Sequence, residues 1–225
     1  MEVTFYGHSC VGIKTEDTNL LVDPFISGNP FARHINIEQI KADYILLTNA
    51  HQDHTMDVEA IAKRTKAKII SNFEIVEHYY NLGFDGHPMN LGGSFEFPFG
   101  YLKFVQALHS STFPDGKAGG CAGGFILKTF EKTIYIAGNT ALHFDMQLIP
   151  VRHKIDFAVL PIGGNFTMDI EDAVMASDFV KCNRVLGVNY DTFSYIKLDH
   201  ELARRSFRAK GKELLLLEIG RTITI

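Results

Sequence analysis

At 225 residues with 46% apolar side chains, the chain is long enough to bury a substantial core without disulfide staples. A net charge of −4 argues against a broad phosphate-binding surface, which needs clustered Lys and Arg, and no apolar run approaches the ~18 residues that span a membrane. Cys10, Cys121 and Cys182 are odd in number and widely spaced, and neither end carries a targeting pattern, so the reading is one soluble, cytoplasmic domain over residues 1–225.

Taken in chain order, segments rich in β-branched and aromatic residues predict strands at 3–6, 11–15, 19–22, 44–48, 67–70, 102–107, 124–129, 133–137, 157–160, 184–188 and 213–217. Apolar spacing near 3.6 predicts helices at 58–65, 74–82, 142–148, 170–181 and 199–210, with Asp169 and Asp172 as an acidic cap pair for the fourth. Hairpin-linked strands followed by β–α alternation predict an α/β fold with two mixed sheets between helical layers. No repeat, low-complexity tract or linker interrupts the pattern.

The stretch Thr48-Asn49-Ala50-His51-Gln52-Asp53-His54 follows the apolar run Tyr44-Ile45-Leu46-Leu47. His51, Asp53 and His54 are too close together to stack on one helical face, which predicts a tight loop from which their donor atoms fan out onto one or two ions. A surface turn with two chance histidines is the other reading of these residues alone. This stretch comes just after a predicted strand, a placement in which a loop on a rigid scaffold can carry a site.

Asn49-Ala50-His51-Gln52-Asp53-His54 resembles the H-x-H-x-D-H hallmark of the metallo-β-lactamase superfamily with its first histidine replaced. Gly7-His8-Ser9-Cys10, Leu21-Val22-Asp23-Pro24-Phe25-Ile26-Ser27-Gly28-Asn29-Pro30, Ala107-Leu108-His109-Ser110, Ala137-Gly138-Asn139-Thr140, Pro161-Ile162-Gly163-Gly164-Asn165-Phe166 and Gly187-Val188-Asn189-Tyr190 resemble, in the same order, a branch of metal-dependent hydrolases related to L-ascorbate-6-phosphate lactonase. The resemblance covers nearly the whole chain. It implies a four-layer αββα sandwich, one ion held by positions 49, 51 and 109, a second by 53, 54 and 189, and a bridging carboxylate at 139.

The family's residue types survive here at His51, Asp53, His54 and His109, while Asn49, Asn139 and Asn189 stand where histidine, aspartate and histidine are expected. Eleven asparagines in 225 residues put fewer than one in any seven positions by chance. Each is a neutral amide of similar bulk, with a weak carbonyl ligand and an NH2 that only donates. The expectation is therefore a chain that binds metal poorly and is inactive or nearly so: a silenced hydrolase, or a pseudoenzyme that keeps its pocket for binding. With all ligands, the resemblance implies hydrolysis by a metal-bound hydroxide that Asp53 ligates and orients, on two ions of zinc, manganese, iron or nickel.

The substrate class expected first is a small anionic ester, lactone or phosphodiester, with RNA, and hence a nuclease, as the alternative. A homo-oligomer is compatible with the sequence. Asp23 and Asp57 are candidates to orient ligand imidazoles. His8 has two readings, a substrate contact or proton donor and an ordinary histidine. The loop 116–124 is either an anion nest or a mobile connection; Gly163-Gly164-Asn165-Phe166 is either a pocket wall or a tight turn. His34, His78, His87, His143, His153 and His200 lack ligand-like company.

Overall fold

Alternate burial along β1 (Glu2–Gly7) turns Val3 and Phe5 inward between more exposed neighbours, the period of two that a half-covered strand needs. The computed structural model describes all residues 1–225. An antiparallel run of β1, β2 (Cys10–Lys14) and β3 (Asn19–Val22) continues into parallel β4 (Tyr44–Leu46), β5 (Lys68–Asn72) and β6 (Gly86–Met89). A second sheet starts as an antiparallel meander, β7 (Ser94–Phe97), β8 (Gly100–Gln106), β9 (Gly123–Lys128) and β10 (Thr133–Ile136). It then goes parallel through β11 (Phe157–Pro161), β12 (Arg184–Val188) and β13 (Glu213–Leu215). The C-terminal β14 (Thr222–Thr224) returns to the free edge of β1, giving two seven-stranded mixed sheets.

Three apolar clusters separate four layers. The central one holds Phe5, Leu20, Val22 and Leu46 of the first sheet against Phe104, Phe125 and Phe157 of the second. On the outer side of the first sheet, Leu21, Ile45 and Ile69 pack against Ile61 of α2 (Val58–Thr65) and Ile75 of α3 (Phe73–Asn81), which follow the single turn α1 (Gln52–Thr55). On the outer side of the second, Tyr135, Leu160 and Val185 meet Ile149 of α4 (Ile149–Arg152), Ala173 of α5 (Ile170–Phe179) and Phe207 of α6 (His200–Ala209). Leu20 and Val22 face one cluster and Leu21 the other, so a strand that reads as a plain apolar run serves two cores. No helix is long and apolar enough to cross a membrane.

Every predicted strand is present, with ends shifted by a residue or two. Three further strands, β6, β7 and β14, carry weak signals. Gly86 and Pro88 sit in β6, at a sheet edge that tolerates a missing N–H, and three of the four residues of β7 are exposed. The helix predicted at 142–148 is a 3-10 turn over Phe144–Leu148, after which Pro150 opens α4 in its first turn, where its absent N–H costs nothing. Asp169 caps α5 as predicted, its Oδ1 accepting from the Asp172 N–H at 2.9 Å. The tight loop predicted for His51, Asp53 and His54 is instead the helical turn α1, with His51 as its N-cap residue.

Candidate metal centre

The strand ends predicted to meet do meet. His51, Asp53, His109, Asn139 and Asn189 line one cleft of about 480 Å3, joined by His8 from the turn after β1. Asn49 and His54 are fully buried, and His54 reaches the cleft lining through Asn139, whose Nδ2 is 2.9 Å from its Nε2. Six of the seven positions singled out by the resemblance are thus brought together, while Asn49 is tied to them only through the His51 N–H.

His54 is set by Asp23, whose Oδ2 stands 2.9 Å from Nδ1. Asp23 in turn accepts from the Thr48 N–H at 2.8 Å and the Thr48 hydroxyl at 2.7 Å, tying the end of β3 to the exit of β4. Burial disfavours charge on His54, but Asp23 and Asp53 outweigh it and raise its affinity for a proton. Asp57, predicted to orient an imidazole, instead accepts from the Ile26 and Ser27 N–H groups and the Ser27 hydroxyl, holding the 24–28 turn. Of the two predicted orienting carboxylates, one does that work.

His8 is buried with φ +53°, between Phe25 and Phe193 at ring distances of 5.6 and 5.3 Å. Burial holds it below the ordinary imidazole range, and the neutral ring donates from Nε2 to Asp53 Oδ2 at 2.9 Å while Nδ1 faces the Thr192 hydroxyl at 3.0 Å. Desolvation pushes Asp53 up, yet the bond from His8 and the charge of His54 together hold it well below the usual carboxylate range. Across the cleft, His51 and His109 stand edge to face at 5.3 Å. Burial, with the charges of His51 and His54, takes His109 down to about 4, and burial lowers His51 as well, so both rings are neutral at pH 7.

The three asparagines are wired into this arrangement. Asn49 Oδ1 accepts from the His51 N–H at 2.9 Å. Asn139 Nδ2 lies 2.9 Å from His54 Nε2, and Asn139 Oδ1 accepts from Asn189 Nδ2 at 2.7 Å. Asn189 Nδ2 also contacts Ser9 Oγ at 3.1 Å. Asn189 sits at φ +57°, a left-handed conformation that asparagine tolerates better than most residues.

Donor chemistry decides whether these residues fit the two cations that the resemblance implies. Two adjacent divalent ions need anionic or imidazole donors with open lone pairs and a carboxylate to offset their repulsion. Here the lone pair of His54 Nε2 faces an amide N–H, the bridging position is a neutral amide, and Asn189 presents hydrogens where a ligand would present a lone pair. His8, Asp53 and His54 do bring three ligand-type atoms within 4.8 Å of one another, but His8 and Asp53 are already bonded together. Positions 49, 139 and 189 thus carry amides where a two-cation centre uses imidazole and carboxylate donors, beside the His8, Asp53 and His54 cluster.

Several contributors carry no local sequence signal. Thr48, Ser9 and Thr192 matter only through the partners the fold gives them. Phe25, Met56 and Phe193 line the cleft from three separate turns. The 163–166 turn does send Phe166 to the cleft wall. The glycine-rich loop is pinned away from the cleft by Asn72, which donates to the Gly119 and Cys121 carbonyls, and by Ser111, which donates to Gly119. Gly119 is needed there because a Cβ would lie 2.2 Å from the Ala50 Cβ. Cys10 and Cys182 are buried. The six other histidines lie outside the cleft, exposed or half-buried.

Comparison with known proteins agrees with this geometry. A model of the beta-lactamase superfamily domain matches residues 2–189. UPF0173 metal-dependent hydrolases from Christiangramia forsetii and Flavobacterium johnsoniae are each 56% identical over the whole of both chains. Among solved structures, a metallo hydrolase from Ignicoccus hospitalis superposes with a TM-score of 0.90 at 31% identity, over 99% of this chain and 97% of its own. The metallo-β-lactamase fold protein YhfI from Bacillus subtilis aligns over 99% of each chain with a TM-score of 0.75 at 16% identity, a likeness of fold alone. The four-layer architecture is that of the metallo-β-lactamase fold.

Proposed function

Because the chain belongs to the UPF0173 family of metal-dependent hydrolases within the metallo-β-lactamase superfamily, we propose that it is a member with an impaired centre, binding divalent metal weakly and turning over little or nothing. One observation carries this reading: the Asn139 amide nitrogen, 2.9 Å from His54 Nε2, puts a hydrogen-bond donor against the lone pair that a cation would take. Divalent cations supply such a centre with an activated water at neutral pH and a polarised acyl or phosphoryl oxygen. What remains in this chain is the positioning: Asp53 held ionised by His8, and a His51–His109 pair kept neutral on the opposite wall.

For a chain with the complete donor set, the substrate class we favour is a small anionic ester or lactone, of the lactonase-like kind, with zinc, manganese, iron or nickel as the metal. A nuclease is disfavoured by the net charge of −4, which leaves no broad phosphate-binding surface. The test compares this chain with Asn49→His/Asn139→Asp/Asn189→His, reading metal content by plasma mass spectrometry and turnover of lactone and phosphodiester probes. The restored chain should take up about two ions and gain at least ~100-fold in metal affinity, more than the loss of a ligand-orienting contact costs. Equal metal content and equal turnover in the two chains would overturn the reading.

A further inference from the structure

Away from the metal centre, the helical layer over the second sheet is incomplete. Its longer helices pack on the far strands, α5 on β11 and α6 on β13. Cover over β8 and β9 falls to the 3-10 turn at Phe144–Leu148 and the single turn α4. Strand alternation settles which side chains look out there. Leu102 and Phe104 of β8, with Phe125 and Leu127 of β9, point into the central cluster, so Lys103, Val105, Ile126 and Lys128 stand on the outer face. Between that face and α4 lies a groove of about 390 Å3, which shares no lining residue with the metal cleft.

The groove floor is apolar, with Val105 and Ile126 from the sheet and Leu148 and Ile149 from the turn above it. Leu148 is 64% exposed and its neighbour Val151 75%, so the apolar surface continues past the rim. One end is cationic. Lys103 and Arg152 line it together with His153, whose affinity for a proton is lowered by burial and then by the charges of Lys103, Arg152 and Lys128. None of these three cations forms an ion pair. Lys103 gives one N–H to the Gly92 carbonyl at 2.5 Å and keeps two. Asp145, the one carboxylate of the lining, acts on His143 rather than on His153, which leaves the cationic end uncompensated.

We propose that this groove binds a small amphiphilic carboxylate, its alkyl chain on Val105, Ile126, Leu148 and Ile149 and its carboxylate between Lys103 and Arg152. A guanidinium takes a carboxylate through two parallel N–H bonds, and an ammonium beside it adds a point charge. A neutral amphiphile gains the floor alone, and a cationic one is repelled at the rim. The volume lies within the range of small-molecule sites. The proposal does not depend on whether the metal centre is occupied.

The test titrates the intact chain by calorimetry with octanoate, butanoate, octanamide and octylammonium. Octanoate should bind at least ~10-fold more tightly than octylammonium, a difference of about 1.4 kcal/mol. It should also exceed butanoate by at least ~10-fold, since a fully buried methylene is worth about 4-fold and four are added. Lys103→Gln/Arg152→Gln, both at rim positions outside the core, should weaken octanoate several-fold and leave octanamide unchanged. Carboxylates also ligate metal ions, so each titration is run in chelator-treated and in zinc-supplemented buffer, and the octanoate affinity should be the same in both. No octanoate binding, equal binding of octylammonium, loss of binding on chelation, or full affinity in the double variant would overturn the proposal. Sedimentation velocity reads the competing occupant. A dimer that Leu148→Asp dissociates and octanoate does not would give the groove to a second copy of the chain and overturn it as well.

Discussion

Asp23 Oδ2 stands 2.9 Å from His54 Nδ1, and neither side chain is more than 1% exposed. The same carboxylate holds the Thr48 N–H and hydroxyl, so one acid joins the end of β3, the exit of β4 and the imidazole beneath the cleft. It also decides which His54 nitrogen faces the cleft, the role that carboxylates play behind histidine ligands in metal sites. The support for a ligand histidine is intact even though the partner across from it, Asn139, is an amide.

Replacing Asp23 by Asn should therefore cost about 3 kcal/mol of stability, because removing one member of a buried pair leaves the other uncompensated. Thr48→Val, which deletes only the hydroxyl contact, should cost about 1 kcal/mol. Urea unfolding read by circular dichroism separates the two. A loss for Asp23→Asn no larger than that for Thr48→Val would mean that His54 is held by packing alone.

Gly163 is where the second sheet leaves room for the site. A Cβ there would lie 2.1 Å from the Asn189 carbonyl oxygen, and that oxygen is backbone and cannot swing aside. Gly163→Ala should destabilise the chain by about 1–3 kcal/mol, the usual range for forced overpacking. It should also shift the side-chain amide resonances of Asn189 and Asn139, which are bonded together at 2.7 Å. Unchanged amide resonances in a folded variant would show that the loop after β12 moves independently of the network.

Much of this was legible because strand propensity and burial act locally. The apolar runs at 44–48, 157–160 and 184–188 are strands buried on both faces, and the candidate residues follow them directly. The α1 turn was not, since four residues carry no period, and the contacts of Asp57 just after it, with Ile26 and Ser27, join residues some thirty positions apart. Most of the apolar cleft lining was equally hidden: Phe25, Met56 and Phe193 come from three distant turns, and nothing in their neighbours distinguishes them from core phenylalanines and methionines. The His8–Asp53 bond joins residues 45 positions apart and depends on a left-handed backbone at His8.

Tyr135 is fully buried in the second sheet and its hydroxyl has no hydrogen-bond partner. Its pKa is raised by that burial alone. A buried hydroxyl without a partner costs roughly 1–3 kcal/mol of desolvation. Tyr135→Phe removes the cost and keeps the ring, so its melting temperature should equal or exceed that of the parent. A drop of several degrees would reveal a partner for the hydroxyl in solution.

Histidines outside the cleft contribute to the pH dependence of stability. Burial holds His78 and His87 below the ordinary imidazole value, helped by the nearby Lys117 and Lys68 charges. Each packs on phenylalanine, His78 on Phe113 at 4.0 Å and His87 on Phe95 at 4.4 Å. A folded pKa below the unfolded value of about 6.5 means that the unfolded chain takes up protons first as pH falls. These two groups thus leave stability unchanged above pH 7 and lower it between about 6.5 and their folded values. Urea midpoints at pH 7.5 and 5.5 for the chain and for His78→Gln/His87→Gln isolate this contribution, since His54, shifted in the opposite direction, is common to both. The variant should lose less stability on acidification than the parent. Equal losses would show that His78 and His87 do not contribute to the acid sensitivity.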